Sequence, residues 1–290
     1  MNSTLSTISA TLPKPMLSIR PPTRWQALDL SEVWAFRDLL FSLAARDVKL
    51  RYRQTALGAL WVLLQPLLGA GILSFVFNRI AALPTGGVPP ILFSYVGMLG
   101  FTLFSSTLSK ASASLVGNTQ LISKVYFPRL ILPLSTVLSS LVDFGVGLLA
   151  LAVLMVIFHI APTASLLLLP LWLALILLLS LGVGLFFSAV MVSYRDVQYV
   201  VPVLVSFLTL ASPIAYASSF VAQKLSVEVR PLYFLLNPLA SLLDAFRVSI
   251  VGSGGVLWPY ALVASVLSVG VFVAGMVAFR QMEQKFADVI

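Results

Sequence analysis

LILPLSTVLSSLVDFGVGLLALAVLMVIF, residues 130–158, is the stretch that decides the fold. Its one charged side chain is Asp143; the rest are apolar or small polar residues. A bilayer core of about 30 Å takes about 20 apolar residues wound as an α-helix. No water reaches the backbone there, so its N–H and C=O groups must pair within the segment. Residues 130–158 are long enough to cross and too apolar for a soluble surface.

The same pattern recurs outward from it. Residues 57–77, 91–108, 165–192, 199–217 and 256–279 read as further spans, six with the first. Asn78 to Pro90, with Pro84, Gly86, Gly87 and Pro89, reads as a loop, Lys110 to Arg129 as a more polar stretch, and Ser193 to Gln198 as a tight turn. Residues 218–255 differ. Leu232 to Leu243 is apolar, but Asn237-Pro238 breaks it and leaves halves too short to cross. A re-entrant helical hairpin on the outer side, between spans five and six, fits best.

Residues 1–30, rich in Ser, Thr and Pro, read as a flexible cytoplasmic tail, and 281–290 as a second tail. Residues 31–56 read as an amphipathic interfacial helix. Ser31 is its candidate cap, Phe36, Leu39, Leu40, Leu43 and Val48 recur at helical spacing, and Arg46, Lys49, Arg51 and Arg53 crowd its far end. The expected fold is therefore all-α and integral to the membrane: six spans, an N-terminal interfacial helix and an outer hairpin.

Composition agrees. The chain has 290 residues, 59% hydrophobic and 10% charged, with a mean hydropathy of +1.02. Soluble domains carry about 25% charged residues, so a soluble enzyme and a disordered or fibrous chain are excluded. There is no cysteine and one histidine, His159. Disulfides, thiolate metal sites and multi-histidine sites go with them, and no metal site is expected. The first thirty residues hold no apolar run, so no secretory signal peptide is expected. The net charge of +8 reads as basic membrane-facing segments rather than nucleic-acid binding. With the N-terminus inside, fourteen of the eighteen Lys and Arg fall on inner segments and four outside, which sets both termini in the cytoplasm.

Several chemistries lack their residues. No GxxxxGK[ST] is present, so this chain holds no P-loop for ATP. Asp47, Asp143, Asp196 and Asp244 are scattered over different elements, so paired-carboxylate catalysis has no pair. Asp143 is the one acid well inside a span. It reads as a functional group or as a partner of Ser or Thr on a neighbouring span.

Two stretches carry a positive signal. ARDVKLRYRQTALGALWVLLQP, residues 45–66, sets Arg46, Lys49, Arg51 and Arg53 just before a span. LVGNTQLISKVYFPRLILP, residues 115–133, is a short inner loop carrying Asn118, Leu121, Ile122, Lys124, Val125, Tyr126, Phe127, Pro128 and Arg129. A loop this apolar is covered by something. It packs on the chain's own helices or inserts into a groove on a partner. Tyr194, Arg195 and Asp196 make a tight turn on the same side, and the turn itself or a partner contact explains them. Asp244 and Arg247, three apart, can pair on one helix face and fix the hairpin.

RDVKLRYRQTALGALWVLLQPLL (46–68), LVGNTQLISKVYFPRLILPL (115–134), VSYRDVQYVVP (192–202) and LNPLASLLDAFR (236–247) together resemble the membrane permease subunits of ABC exporters, the type-2 ABC transporter permeases that carry bacterial O-antigen, capsule or teichoic acid. The resemblance runs from about residue 33 to the C-terminus. It implies a multi-pass protein of the bacterial cytoplasmic membrane, a homodimer of this chain, two copies of a separate ABC ATPase that binds ATP and Mg, and a lipid-linked glycan as cargo. The chain itself would hold no cofactor and be no enzyme. The loop at 118–129 would contain the coupling helix, and Arg46, Lys49, Arg51, Arg53, Arg195 and Asp196 would lie near the ATPase or lipid phosphates. Aromatic faces stack on sugar rings, which makes Trp61, Phe75, Phe77, Phe101, Phe104, Phe207 and Tyr216 the pore-lining candidates; packing or interfacial anchoring explains each as well. An export permease for a drug or lipid, an ion-coupled carrier depending on Asp143, and a membrane enzyme of glycan assembly remain as alternatives.

Overall fold

The computed structural model describes residues 31–53, 59–252 and 255–283. The expected tail at 1–30 and most of that at 281–290 lie outside the described residues. Every regular element among the described residues is a helix. Two helices precede the bundle, α1 (Ser31–Ala35) and α2 (Arg37–Arg53). α3 (Ala59–Leu73) runs on through a wider π-type segment to Ile80. α4 (Pro90–Ala113), α5 (Thr119–Lys124), α6 (Ile131–Ile157), α7 (Leu169–Ser193), α8 (Val197–Ala211), α9 (Ser218–Lys224), α10 (Val229–Leu236), α11 (Pro238–Val251) and α12 (Trp258–Glu283) follow.

Proline punctuates the starts. Pro90, Pro170 and Pro238 sit in the first turns of α4, α7 and α11, where a missing N–H costs nothing and the fixed φ favours the helix. Gly252, at φ 68°, ends α11 in the left-handed conformation that a residue without Cβ adopts without strain.

Among the described residues five helices are long and apolar enough to span a bilayer: Leu60–Ile80, α4, α6, Ala164–Ser193 and α12. α10 and α11, bent by 80° at Asn237, count as a sixth if read together as one broken span. The chain is thus an all-helical, multi-pass membrane protein. α8 is a shorter apolar helix, Val197–Ala211, where the sequence pattern ran to residue 217. Ser212-Pro213 stops it, because the residue before a proline is pushed out of the helical region; Ser212 is extended at ψ 145°. α4 runs five residues beyond the expected 108 and takes Lys110 into its last turn.

α4 is the central element. Phe93, Tyr95, Leu99, Phe101, Phe104 and Leu108 along it are buried, and it packs against α3, α6, α7, α8 and α11. α7 pairs most extensively with α12. A methyl group on Gly182 would come within 2.6 Å of the Phe272 Cα, and one on Gly275 would overlap the Gly182 carbonyl. In lipid there is no hydrophobic drive between helices, so such close approach, with its dispersion contacts, holds them together.

α11 is the most deeply buried of the short helices, with only Pro238 and Val248 less than buried along its length. It packs against α4, α7, α12 and the 3-10 turn at Ala164–Leu168. The outer hairpin expected from the Asn237-Pro238 break therefore has one arm set into the protein core rather than lying on it.

Candidate functional site

Chain direction places α2, the 114–130 loop, the turn at 194–196 and the end of α12 at one end of the bundle, which carries most of the basic residues. α2 lies against α6. Leu43 and Ala44 are buried there, while Trp34, Phe41 and Leu50 are exposed. Exposed apolar side chains among Arg37, Lys49 and Arg53 suit a helix at a lipid surface.

The loop from Val116 to Leu130 divides into two faces. Phe127 and Leu130 are buried and Leu121 and Ile122 half-buried, in a cluster with Val33, Leu43, Leu115, Leu181, Leu185 and Phe279. Asn118 donates to the Ser114 carbonyl and accepts from Arg46 at 2.9 Å, tying the loop to α2. The Arg129 guanidinium donates to the Glu283 carbonyl at 3.0 Å, tying it to α12. Held so, the loop projects Lys124, Val125 and Tyr126 outward, with Val125 52% and Tyr126 75% exposed. One face of the loop thus packs on the chain's own helices and the other is left exposed. Arg195 and Asp196, exposed in the turn between α7 and α8, point from the same end.

Asp143, inside α6, forms ion pairs with Arg51 from α2 and with Lys110 from α4, the latter at 2.9 Å. Ser139, one turn earlier, accepts from Lys110 at 3.3 Å. Asp143 thus engages two cations, one 92 and one 33 positions away. Lys110 was not singled out in the sequence; its signal was a single cation followed by the helix-compatible Ala111-Ser112-Ala113.

A buried charge pair lies at the opposite end. Asp244 and Arg247 meet on α11 at 2.5 Å, and the arginine side chain is 2% exposed. Arg247 also donates to the carbonyls of Pro213 and Ile214 at 2.6 and 2.9 Å and lies 4.0 Å over the Phe93 ring. Asp244 accepts from the amide of Ser218 at 2.8 Å and from its hydroxyl. Gly97 leaves room for this: a methyl there would reach within 2.7 Å of the guanidinium. Asn237 at the bend donates to the Ala211 carbonyl and the Ser212 hydroxyl, both at 3.2 Å. These bonds satisfy the carbonyls freed where α8 breaks. Asn237, Pro238, Asp244 and Arg247 together fix residues 211–218 to α4 and α11.

The aromatic candidates divide by exposure. Phe101 and Phe104 are buried in the core and offer no face to a passing chain. Phe77 and Tyr216 are half-buried against each other, centroids 5.5 Å apart. Trp61 and Phe75 on α3 and its extension, and Phe207 on α8, are exposed, in rows with Leu68, Ile72, Val203 and Leu210. Among the described residues no three Asp, Glu or His side chains gather as a metal site would require.

A bundle of long apolar helices with one basic end, held by a buried Asp244–Arg247 pair and a partly exposed cluster at Asp143, defines a multi-pass membrane protein. Residues 38–251 match the ABC-2 type transporter family, and the chain belongs to it. It is 28% identical over 216 residues to the O-antigen export system permease protein RfbA of Myxococcus xanthus, covering 74% of this chain and 81% of that one. It is 26% identical over 254 residues to the protein of the same name from Klebsiella pneumoniae, covering 87% of this chain and 95% of that one.

Proposed function

We propose that this chain is the transmembrane subunit of an ATP-driven exporter that moves a lipid-linked polysaccharide, of O-antigen, capsule or teichoic-acid type, out across the bacterial cytoplasmic membrane. One observation carries the reading: in an ABC-2 family chain, the Lys124–Val125–Tyr126 tip stands exposed on a loop otherwise anchored in the bundle. A tip with two exposed apolar side chains on a rigid base suits insertion into a groove on a partner.

The partner is a separate ABC ATPase in two copies, which binds ATP and Mg. Two copies of this chain pair around the conduit, and the exposed rows on α3 and α8, with Trp61, Phe75 and Phe207, supply apolar and aromatic surface for that pairing and for sugar rings. Both termini lie in the cytoplasm, because the end with α2 and the 114–130 loop holds the excess of Lys and Arg. ATP-driven closure of the ATPases pushes the tips. The anchored loop passes the push to α4, α6 and α12, which it contacts through Asn118, Leu130 and Arg129, and so alters the contact between the two copies. Asp143 is a poor site for a coupling ion, since two cations already engage it.

The test is deletion of the gene and complementation in the source cell. Loss of surface glycan, with lipid-linked glycan accumulating inside and both restored by the intact chain, is the expected result. Unchanged surface glycan overturns the proposal.

A further inference from the structure

The ion pairs of Arg51 and Lys110 with Asp143 form the floor of a cleft of about 350 Å³ between α2, α4 and α6. Ligand clefts begin at about this size. Its lining holds three cations, Arg46, Arg51 and Lys110, against two carboxylates, Asp47 and Asp143. One positive charge is left over. Arg46 uses Nε and Nη2 on Asp47 and Asn118, and its other terminal nitrogen carries two more protons. Lys110 gives one proton to Asp143 and one to Ser139, and an ammonium has three. The Ser135, Thr136 and Ser139 hydroxyls donate back to their own helix, so Arg46 and Lys110 are the charged donors with protons left for a ligand. Leu50, Val48 and Leu132 complete the wall.

We infer that this cleft binds the phosphate headgroup of an anionic phospholipid of the cytoplasmic leaflet, seated between Arg46 and Lys110. A phosphodiester carries one negative charge and matches the one unbalanced cation, whereas a diphosphate carries more. The cleft is blind. Beyond the Arg51–Asp143 floor lies a gap of only about 40 Å³, room for about one water and none for a sugar. That geometry suits a resident lipid rather than a cargo in transit. The apolar wall beside the charged floor suits an amphiphile, and Leu50 on the outer side of α2 is exposed where an acyl chain would leave. Anionic lipids are concentrated on the cytoplasmic leaflet and are drawn to basic segments there. The inference goes beyond the export reading and depends on it only for the basic end facing the cytoplasm.

The test uses the full chain co-expressed with its neighbouring ATPase, stripped of lipid in a neutral detergent. It is titrated with phosphatidylglycerol, with phosphatidylcholine of the same chains, with inorganic phosphate and with undecaprenyl diphosphate. Binding is read by native mass spectrometry and melting temperature. Phosphatidylglycerol is expected to bind at least tenfold tighter than phosphatidylcholine. Arg46→Gln and Lys110→Gln are each expected to cut that ratio threefold or more, and Arg37→Gln, on the same helix but outside the cleft, to leave it unchanged. Equal binding of the two phospholipids overturns the inference. So does an Arg37→Gln effect as large as that of Lys110→Gln, which would mean diffuse surface charge. Displacement of phosphatidylglycerol by undecaprenyl diphosphate would make this a cargo site, and equal protection by inorganic phosphate a free-anion site; either overturns it. If the variants do not fold, the wild-type melting temperature decides, and an equal rise with both phospholipids counts against the site. Loss of the ATPase during purification contradicts the export reading and leaves the lipid comparison standing, so the two failures separate.

Discussion

Arg247→Met removes the buried cation at the end of the bundle opposite the basic one while keeping most of the side-chain length. Lost with it are the 2.5 Å bond to Asp244, the bonds of 2.6 and 2.9 Å to the Pro213 and Ile214 carbonyls, and the 4.0 Å contact with Phe93. Asp244 keeps the Ser218 amide and hydroxyl but loses its counter-charge while 6% exposed. Removing one partner of a buried ion pair costs about 3–5 kcal/mol. The assay is equilibrium unfolding in mixed micelles, followed by helical circular dichroism. The Asp244→Leu/Arg247→Met double variant separates the pair from the packing. Replacing both charges by apolar groups is often near neutral, so the double variant is expected to be more stable than Arg247→Met by at least about 1.5 kcal/mol, within the range of measured coupling between contacting residues. A loss below about 1 kcal/mol in Arg247→Met, or a double variant as unstable as the two single losses added, refutes the reasoning.

Two further outcomes follow from the packing. Gly275→Ala places a methyl against the Gly182 carbonyl, and overpacking of this kind costs about 1–3 kcal/mol; an unchanged melting temperature for the purified protein would contradict the close crossing of α7 and α12. Asp143→Asn leaves Arg51 and Lys110 facing each other without their shared carboxylate. It is expected to destabilise by about 1–3 kcal/mol and to raise proteolysis at the α2 end, with recovery of stability in Asp143→Asn/Lys110→Gln; no recovery would sink the pairing.

Hydropathy alone made the long helices legible, because a bilayer imposes both length and apolarity on any segment that crosses it. The misplaced boundaries are those where tertiary contacts outweigh local pattern. Lys110 reads as the end of a span, yet the helix continues because Asp143, on another helix, takes its charge. Asp244 and Arg247 give α11 the look of a surface helix, and their mutual neutralisation lets it sink into the core. The loop at 116–130 is legible as an apolar oddity, but its division into an anchored and an exposed face depends on the packing of Leu121, Phe127 and Leu130 against α7 and α12 residues remote in sequence. Phe101 and Phe104 resemble Trp61 and Phe207 in composition alone; only the rotation of α4 sets them inside.

The central claim is that Lys124–Val125–Tyr126 joins this chain to an ATPase. The structure picks the variant: Val125→Asp/Tyr126→Asp alters two exposed side chains and leaves the buried Phe127 and its packing intact. The chain is tagged, co-expressed with the products of its neighbouring genes and purified in detergent. The account predicts that the ATPase co-purifies in equal amount with the wild type and is released by the double variant, whose own melting temperature is unchanged. An ATPase that stays bound to the well-folded double variant, or a wild-type chain that transports with no ATPase attached, would contradict it.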